Sequence, residues 1–433
     1  MPFSTLRGFR DYLPPDAAAR AELWRRMRQV AHRCGFQELE TPSVESLDLF
    51  RVKSGGDIEE QVWAFDDKGG REVALIAETT PGLARVYADR AKSEPLPVKW
   101  VTFSKLWRYE EPQAGRTREF SQVNLDILGV PGIEADAEVL ASAALALDEV
   151  GAQGLYAFRV NDRRLAEAVG RSVGARDLPL FFHALDRRSK VTEREFAAEL
   201  QRSGVTPDGV AQLSGIVSAA GAGVPASDVD AFFSRWNAPA LPAPGPEGLA
   251  TLRALFARVV KLGLGDRVFF EPTVVRGLAY YTSTVFECYA REGDLRALFG
   301  GGRYDHLIEL FGGPPTPACG LAIGDQTLEL LLRGAGRWPE GDPPLDTYVI
   351  AATADFAAEA AGWVQRLRQA GIAADSDLMG RSMSRQLREA ARRRARRALI
   401  VGPQEAARGV VLERDLTSGA QRELRPDEVL PPA

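Results

Sequence analysis

The sequence is short of the residues that most often announce a chemistry on their own. Its 433 residues include three cysteines, three histidines, four methionines and only seven lysines. Cys34, Cys288 and Cys319 are odd in number and have no CxxC spacing, which excludes a disulfide framework or a zinc knuckle and fits a reducing compartment. His32, His183 and His306 stand far apart, in no spacing of a nucleophile pair or a metal site. No run of about 18 apolar residues occurs, and Met1–Arg10 lacks a charged start followed by an apolar stretch. Neither a membrane span nor an export signal is therefore expected.

What is present is ordinary globular material. Hydrophobic residues at 45% and charged residues at 26% predict packed domains, and the length predicts two or three of them. The net charge of −5 argues against wholesale coating of nucleic acid. From Leu345 onward, however, 14 arginines, no lysine and 12 acidic residues leave a net of +2. Arginine is the default cation throughout, so any single arginine says little.

Apolar residues at Leu23, Trp24, Met27, Val30, Ala31 and Cys34 have the spacing of an amphipathic helix that Gly35 ends. Strand-like runs follow at Val73–Ile76, Val98–Phe103, Leu106–Glu111 and Arg118–Leu128, and the last two read as a hairpin around Pro112–Thr117. From about 135 to 262 glycine- and proline-broken helical patterns read as an inserted, mainly helical module. Strand character returns at Val268–Ala290, a tight turn is expected at Gly300–Gly302, and Ala318–Ile323 feeds a leucine-rich helix. Gly334–Pro344 reads as a linker, so the expected domains are 1–333 and 345–433, the second with strands and helices alternating.

On the second hairpin strand Val123, Leu125 and Ile127 point one way, while Arg118, Phe120, Gln122, Asn124 and Asp126 point the other. Such a polar face can grip a charged, planar ligand; alternation alone favours a solvated outer face instead. The run Arg392–Arg397 has two readings as well, an RNA contact or a solvated helix end.

Trp107–Gly129 (WRYEEPQAGRTREFSQVNLDILG) resembles motif 2 of class II aminoacyl-tRNA synthetases, in the form seen in histidyl-tRNA synthetases. Arg7–Asp16 resembles that family's N-terminal signature, and Ala77–Arg85 its LRPE-type segment. Val275–Glu287, Gly300–Leu307 and Ala318–Asp325 resemble its histidine-binding and motif 3 regions, and Gly380–Ala390 with Leu399–Gly402 its anticodon-binding domain. The resemblance implies an α+β fold, an antiparallel sheet flanked by helices, with an inserted helical module and a C-terminal α/β anticodon-binding domain. It implies a cytoplasmic homodimer, away from membranes, that activates L-histidine with ATP and Mg²⁺ and transfers it to tRNA(His).

Residue by residue, the resemblance implies that Arg108 and Arg276 hold the α-phosphate, that Arg116 reaches the outer phosphates, that Glu110 accepts from the adenine amino group and that Phe120 stacks on the ring. Glu78, Thr80 and Gln122 would receive the α-amino group of histidine, and Arg276, approaching the phosphate from the amino-acid side, would also belong to the histidine site. Asp126 and Tyr281 would satisfy the imidazole nitrogens, with Tyr280 lining the pocket. No residue is assigned to a metal. The chain departs from the family pattern at Ile76-Ala77, at Thr327 in place of the motif 3 arginine, at Ala279 and at Asp126, where glutamate is more usual. Two other functions fit the same likeness: a histidine-sensing regulatory subunit of ATP phosphoribosyltransferase, which typically lacks the C-terminal domain, and a catalytically altered synthetase paralogue.

Overall fold

Val98–Trp107 and Glu119–Leu128 pair antiparallel along their whole length, from Val98 opposite Leu128 to Trp107 opposite Glu119. This hairpin is the spine of a computed structural model that describes residues 3–52, 61–236, 238–277, 280–293, 295, 297–339, 341 and 345–430. The chain forms two units, Met1–Leu13 with Ala19–Pro339, and Pro14–Ala18 with Glu340–Ala433. Strands of the first are β1 (Gln37–Glu38), β2 (Val44–Ser46), β3 (Ala64–Asp66), β4 (Glu72–Leu75), β5 (Val98–Trp107) and β6 (Glu119–Leu128). They continue with β7 (Tyr156–Asp162), β8 (Val224–Pro225), β9 (Val268–Phe270), β10 (Thr284–Ala290), β11 (Phe299–Arg303) and β12 (Ala318–Gly324). Nine of them make one sheet in the order β1-β5-β6-β12-β11-β10-β7-β9-β8, and β2-β4-β3 make a small second sheet. The large sheet is antiparallel except where β1 meets β5 and β7 meets β9.

One face of the large sheet carries Val123, Leu125 and Ile127 with Leu321, Ile323, Phe286 and Phe158, packed under the helices Ile133–Glu149 and Gly245–Lys261. The other face is not the solvated surface that alternation favours, because Asn124 and Asp126 are only 3% and 1% exposed. Tyr87, Trp100, Tyr281 and Tyr304 and the helix Thr80–Arg90 form a second apolar layer on that side. Both faces are thus buried, and polar residues there need partners.

Several elements differ from the expectation. Gly300–Gly302 is strand, not turn, since β11 is paired on both sides. A Cβ at Gly301 would lie 2.2 Å from the Gly320 carbonyl oxygen, so close strand packing, rather than a bend, selects glycine there. Within 135–262, Tyr156–Asp162 is a strand of the large sheet, and the helices between Arg163 and Lys261 follow it. Strand structure in Val268–Ala290 is confined to β9 and β10; Leu278 and Ala279 lie outside the described residues. The strand read at Leu106–Glu111 is continuous with Val98 and stops at Trp107.

The second unit has strands β13 (Thr347–Ala351), β14 (Ala374–Ser376), β15 (Arg397–Val401), β16 (Val411–Asp415) and β17 (Gln421–Leu424), ordered β14-β13-β15-β16-β17. β13 is parallel to both neighbours and the last two strands close an antiparallel meander. Its helix Met383–Arg392 ends within the arginine run, and Arg392, Arg393, Arg396 and Arg397 pair with Glu389, Asp375, Asp346 and Glu413. Residue 340 and residues 342–344 of the linker stretch lie outside the described residues.

Gly301→Ala should lower unfolding stability by about 1–3 kcal/mol in denaturant titration, because the added methyl strikes backbone. Gly362→Ala, mid-helix with nothing within 4 Å of the new Cβ, should instead raise it by about 0.5–1 kcal/mol.

Candidate functional site

Residues directly opposite in a sheet share a face. One row across four strands runs Asn124, Ala322, Gly300, Glu287, and the next runs Asp126, Gly320, Gly302, Val285. Gln122 stands opposite Gly324 in the row beyond. On this face the two central strands, β12 and β11, therefore offer glycine and one alanine, a floor almost without side chains. The polar residues of β6 border it on one side and Glu287 on the other.

The floor is occupied by side chains from elsewhere. A Cβ at Gly300 would lie 2.7 Å from Arg276 Cζ, one at Gly302 2.9 Å from Tyr281 Cδ1, and one at Gly320 2.0 Å from Asp126 Oδ1. At Gly324 a Cβ would meet nothing within 4 Å, so the trough opens there.

Arg276 adopts φ +59°, unusual for a residue with a Cβ, and Arg163 Nη1 donates to the carbonyl oxygens of Val275 and Arg276 at 3.1 and 3.2 Å. Arg276 Nη1 donates to Glu287 Oε1 at 2.5 Å, while Arg276 Nε is buried with no hydrogen-bond partner among the described residues. The rings of Tyr280 and Tyr281 lie 4.6 Å apart, and Tyr304 meets Tyr280 edge-on at 5.9 Å. The Tyr304 hydroxyl donates to Asp126. Burial pushes the Tyr281 phenol above its ordinary pKa, Arg276 works against that rise, and the Glu78 carboxylate adds to it. Glu78 and Thr80 are buried where β4 turns into the helix Thr80–Arg90.

Arg108, just past the end of β5, donates from Nε to the carbonyl oxygen of Ala77 at 2.9 Å, one residue before Glu78. Its Cζ is 5.2 Å from the Phe120 ring centre and its Nη1 3.9 Å from Glu110 Oε1. Arg116 Nη1 is 3.3 Å from Glu110 Oε2. Two groups result: Arg108, Glu110, Arg116 and Phe120 at the hairpin mouth, and Asp126, Arg276, Tyr280 and Tyr281 on the glycine floor. Gln122 on β6, with Glu78 and Thr80 beside Ala77, links them. A trough with guanidinium groups, buried carboxylates and phenols can bind a small zwitterion beside a polyanion.

Sequence reasoning missed Tyr304, Glu287 and Arg163. Tyr304 and Glu287 lie within the stretches Gly300–Leu307 and Val275–Glu287, yet nothing in the pattern says which way they face until β10, β11 and β12 pair. Thr327, where the chain departs from the family pattern, is held by its surroundings. Its hydroxyl donates to the Leu298 carbonyl oxygen at 2.7 Å, and a Cβ on Gly115 of the hairpin loop would lie 3.0 Å from its methyl. The hairpin loop thus packs closely against the Thr327 side chain. Asp325 beside it accepts from the Ser121 N–H at 3.1 Å and is ion-paired with Arg20 at 2.5 Å; burial raises its carboxyl pKa and Arg20 opposes the rise.

The profile of the family described as "Histidyl-tRNA synthetase" matches residues 8–328, and that described as "Anticodon binding domain" matches residues 346–431. A histidine–tRNA ligase of Halobacterium salinarum is 37% identical over 422 residues, 97% of this chain and 95% of that protein. The Pyrococcus abyssi protein of the same name is 36% identical, covering 98% of this chain and 97% of its own. Among solved structures, a histidyl-tRNA synthetase from a Nostoc species superposes with a TM-score of 0.83 at 24% identity, over 98% of this chain and 97% of that one.

Tyr304→Phe removes a donor from a buried carboxylate, so a loss of about 1–3 kcal/mol is expected in chemical denaturation. An unchanged midpoint would mean that Asp126 does not depend on that hydroxyl.

Proposed function

The chain belongs to the histidyl-tRNA synthetase family, and from that membership we propose how its residues divide the reaction. The enzyme is a ligase that activates L-histidine with ATP and transfers it to tRNA(His). In the first step a carboxylate oxygen of histidine attacks the α-phosphorus and pyrophosphate leaves. In the second a hydroxyl of the tRNA's terminal ribose attacks the carbonyl carbon, and AMP leaves. Negative charge concentrates on the α-phosphate in the first step, so preplaced cations are the main requirement.

In this reading Arg108 approaches that phosphate from the hairpin and Arg276 from the glycine floor, where its buried Nε has no hydrogen-bond partner among the described residues. Arg116 reaches the outer phosphates, Glu110 accepts from the adenine amino group, and Phe120 stacks on the base. Glu78, Thr80 and Gln122 receive the α-ammonium. Asp126, oriented by Tyr304, and Tyr281 meet the two imidazole nitrogens, and Tyr280 walls the pocket. The observation that carries this reading is the gathering of Arg276, Tyr281 and Asp126 over glycines that a side chain would displace.

Among the described residues no three His, Cys, Asp or Glu side chains form a cage for a metal. Mg²⁺ fits as an ion carried on the ATP phosphates, where it would screen their charge. The homodimer is likewise proposed, supported by Phe3, Leu6 and Leu13, which expose 69–88% of their surface near the N-terminus. A cytoplasmic setting is supported by three unpaired cysteines, and no helix among the described residues is long and apolar enough to cross a membrane. A histidine-sensing subunit is disfavoured, because relatives 36–37% identical over nearly the whole chain carry the ligase name and residues 346–431 match an anticodon-binding domain.

Histidine-dependent exchange of pyrophosphate into ATP, followed by charging of tRNA(His), tests the assignment. Arg108→Ala should lower exchange by about 10²–10³-fold; full activity would remove Arg108 from the site. Light scattering should give a mass near twice 47.1 kDa, and a 47.1 kDa species would contradict the dimer.

A further inference from the structure

The guanidinium of Arg276 is already engaged before any substrate arrives. Glu287 stands on β10 directly across from Gly300 and from Arg159 of β7. One of its oxygens accepts from Arg276 Nη1 at 2.5 Å and the other from the Tyr289 hydroxyl at 2.5 Å. With both oxygens held, the carboxylate cannot turn, and it restrains the Nη1 end of the guanidinium it grips. The support extends further from the trough. Arg159 lies over the Tyr289 ring at 4.3 Å and reaches Glu271 at 3.8 Å, and Glu271 accepts from the Thr273 hydroxyl at 2.9 Å. Glu271, Arg159, Tyr289, Glu287 and Arg276 thus form a continuous chain of polar groups leading to the floor.

We infer that Glu287 is a positioning residue of the reaction: anchored by Tyr289, it aims the remaining N–H groups of Arg276 at the α-phosphate before ATP binds. The inference rests on the role proposed for Arg276 and goes beyond it, since Glu287 itself touches no reacting atom. The physical reason is preorganisation. A mobile cation must be ordered in the transition state, whereas a cation already fixed by a charged hydrogen bond needs no such reorganisation. Burial alone would disfavour the charged guanidinium, and Glu287, with the neighbouring tyrosines, more than offsets that tendency. Arg163, which holds the backbone carbonyl oxygens of Val275 and Arg276, supplies the second constraint, on the main chain.

Histidine-dependent pyrophosphate exchange separates this role from that of a purely structural ion pair. Glu287→Gln keeps the shape and removes the charge. Its exchange kcat should fall by about 10- to 100-fold, while the dissociation constant for histidine, measured by calorimetry, changes by less than about 2-fold. Tyr289→Phe, which frees one oxygen of the anchor, should lose about 3-fold, and Glu287→Asp, which retains the charge at shorter reach, should fall between the two. In an Arg276→Ala background, Glu287→Gln should change the exchange rate by less than about 2-fold, because residues that act through one another are not additive. There it should also raise the melting temperature, by removing a buried carboxylate left without its cation. Undiminished exchange by Glu287→Gln, or an equal loss in both backgrounds, overturns the inference. Should Glu287→Gln fail to fold, full exchange by both Tyr289→Phe and Glu287→Asp overturns it equally. Absence of exchange in the unaltered enzyme would remove the proposed role of Arg276 and this inference together, whereas normal exchange with unaffected variants removes only the latter.

Discussion

A buried guanidinium needs space and a counter-charge, and the site depends on how the sheet supplies both to Arg276. Space comes from Gly300, where any Cβ would collide with the guanidinium carbon. Counter-charge comes from Glu287, which the register of β10 with β11 places opposite that same glycine. Neither feature suffices alone. A glycine strand without the carboxylate would leave a desolvated cation, and a carboxylate beside a filled strand would have no cation to hold. The same arrangement recurs at lower charge where Gly302 leaves room for Tyr281 and Gly320 for Asp126.

Strand order explains why segments far apart in sequence meet here. β6 brings Gln122 and Asp126, β12 and β11 bring the floor, and β10 brings Glu287, all adjacent in one sheet. The hairpin that carries Arg108 and Arg116 is continuous with the strands that carry the pocket, so the two groups of residues share one rigid support. The helix Thr80–Arg90 closes the other side and sets Glu78 at its start. Chemistry distributed over separate elements is therefore assembled by packing, with the apolar face under Ile133–Glu149 holding the sheet in register.

How much of this could be read in advance follows from the range of each interaction. The first helix and the hairpin are local patterns: the spacing of Leu23, Met27 and Val30, and the alternation of Val123, Leu125 and Ile127, each report a nearby packing partner. Motif likeness covered the residues now found in the trough. Gly300–Gly302 misled because glycine triplets usually mark bends, and only the neighbouring strand and the side chain of Arg276 show why a strand needs them. Tyr156–Asp162 was hidden because it is a short strand between longer helical stretches, although Tyr156, Phe158 and Val160 alternate with Ala157, Arg159 and Asn161 and face the core. The polar face of β6 looked like surface because its cover, Tyr281 and Tyr304, comes from more than 150 residues away. Glu287 and Tyr304 could not be assigned for the same reason: their partners are tertiary.

In the proposed reaction two guanidinium groups from separate parts of the chain meet on one phosphorus beside a pocket for imidazole. A crystal structure with histidine and a non-hydrolysable ATP analogue measures this directly. Arg108 and Arg276 should each lie within about 2.7–3.2 Å of α-phosphate oxygens, with the imidazole between Asp126 and Tyr281. An α-phosphate bound away from either arginine, or a histidine side chain directed away from Asp126, would contradict it.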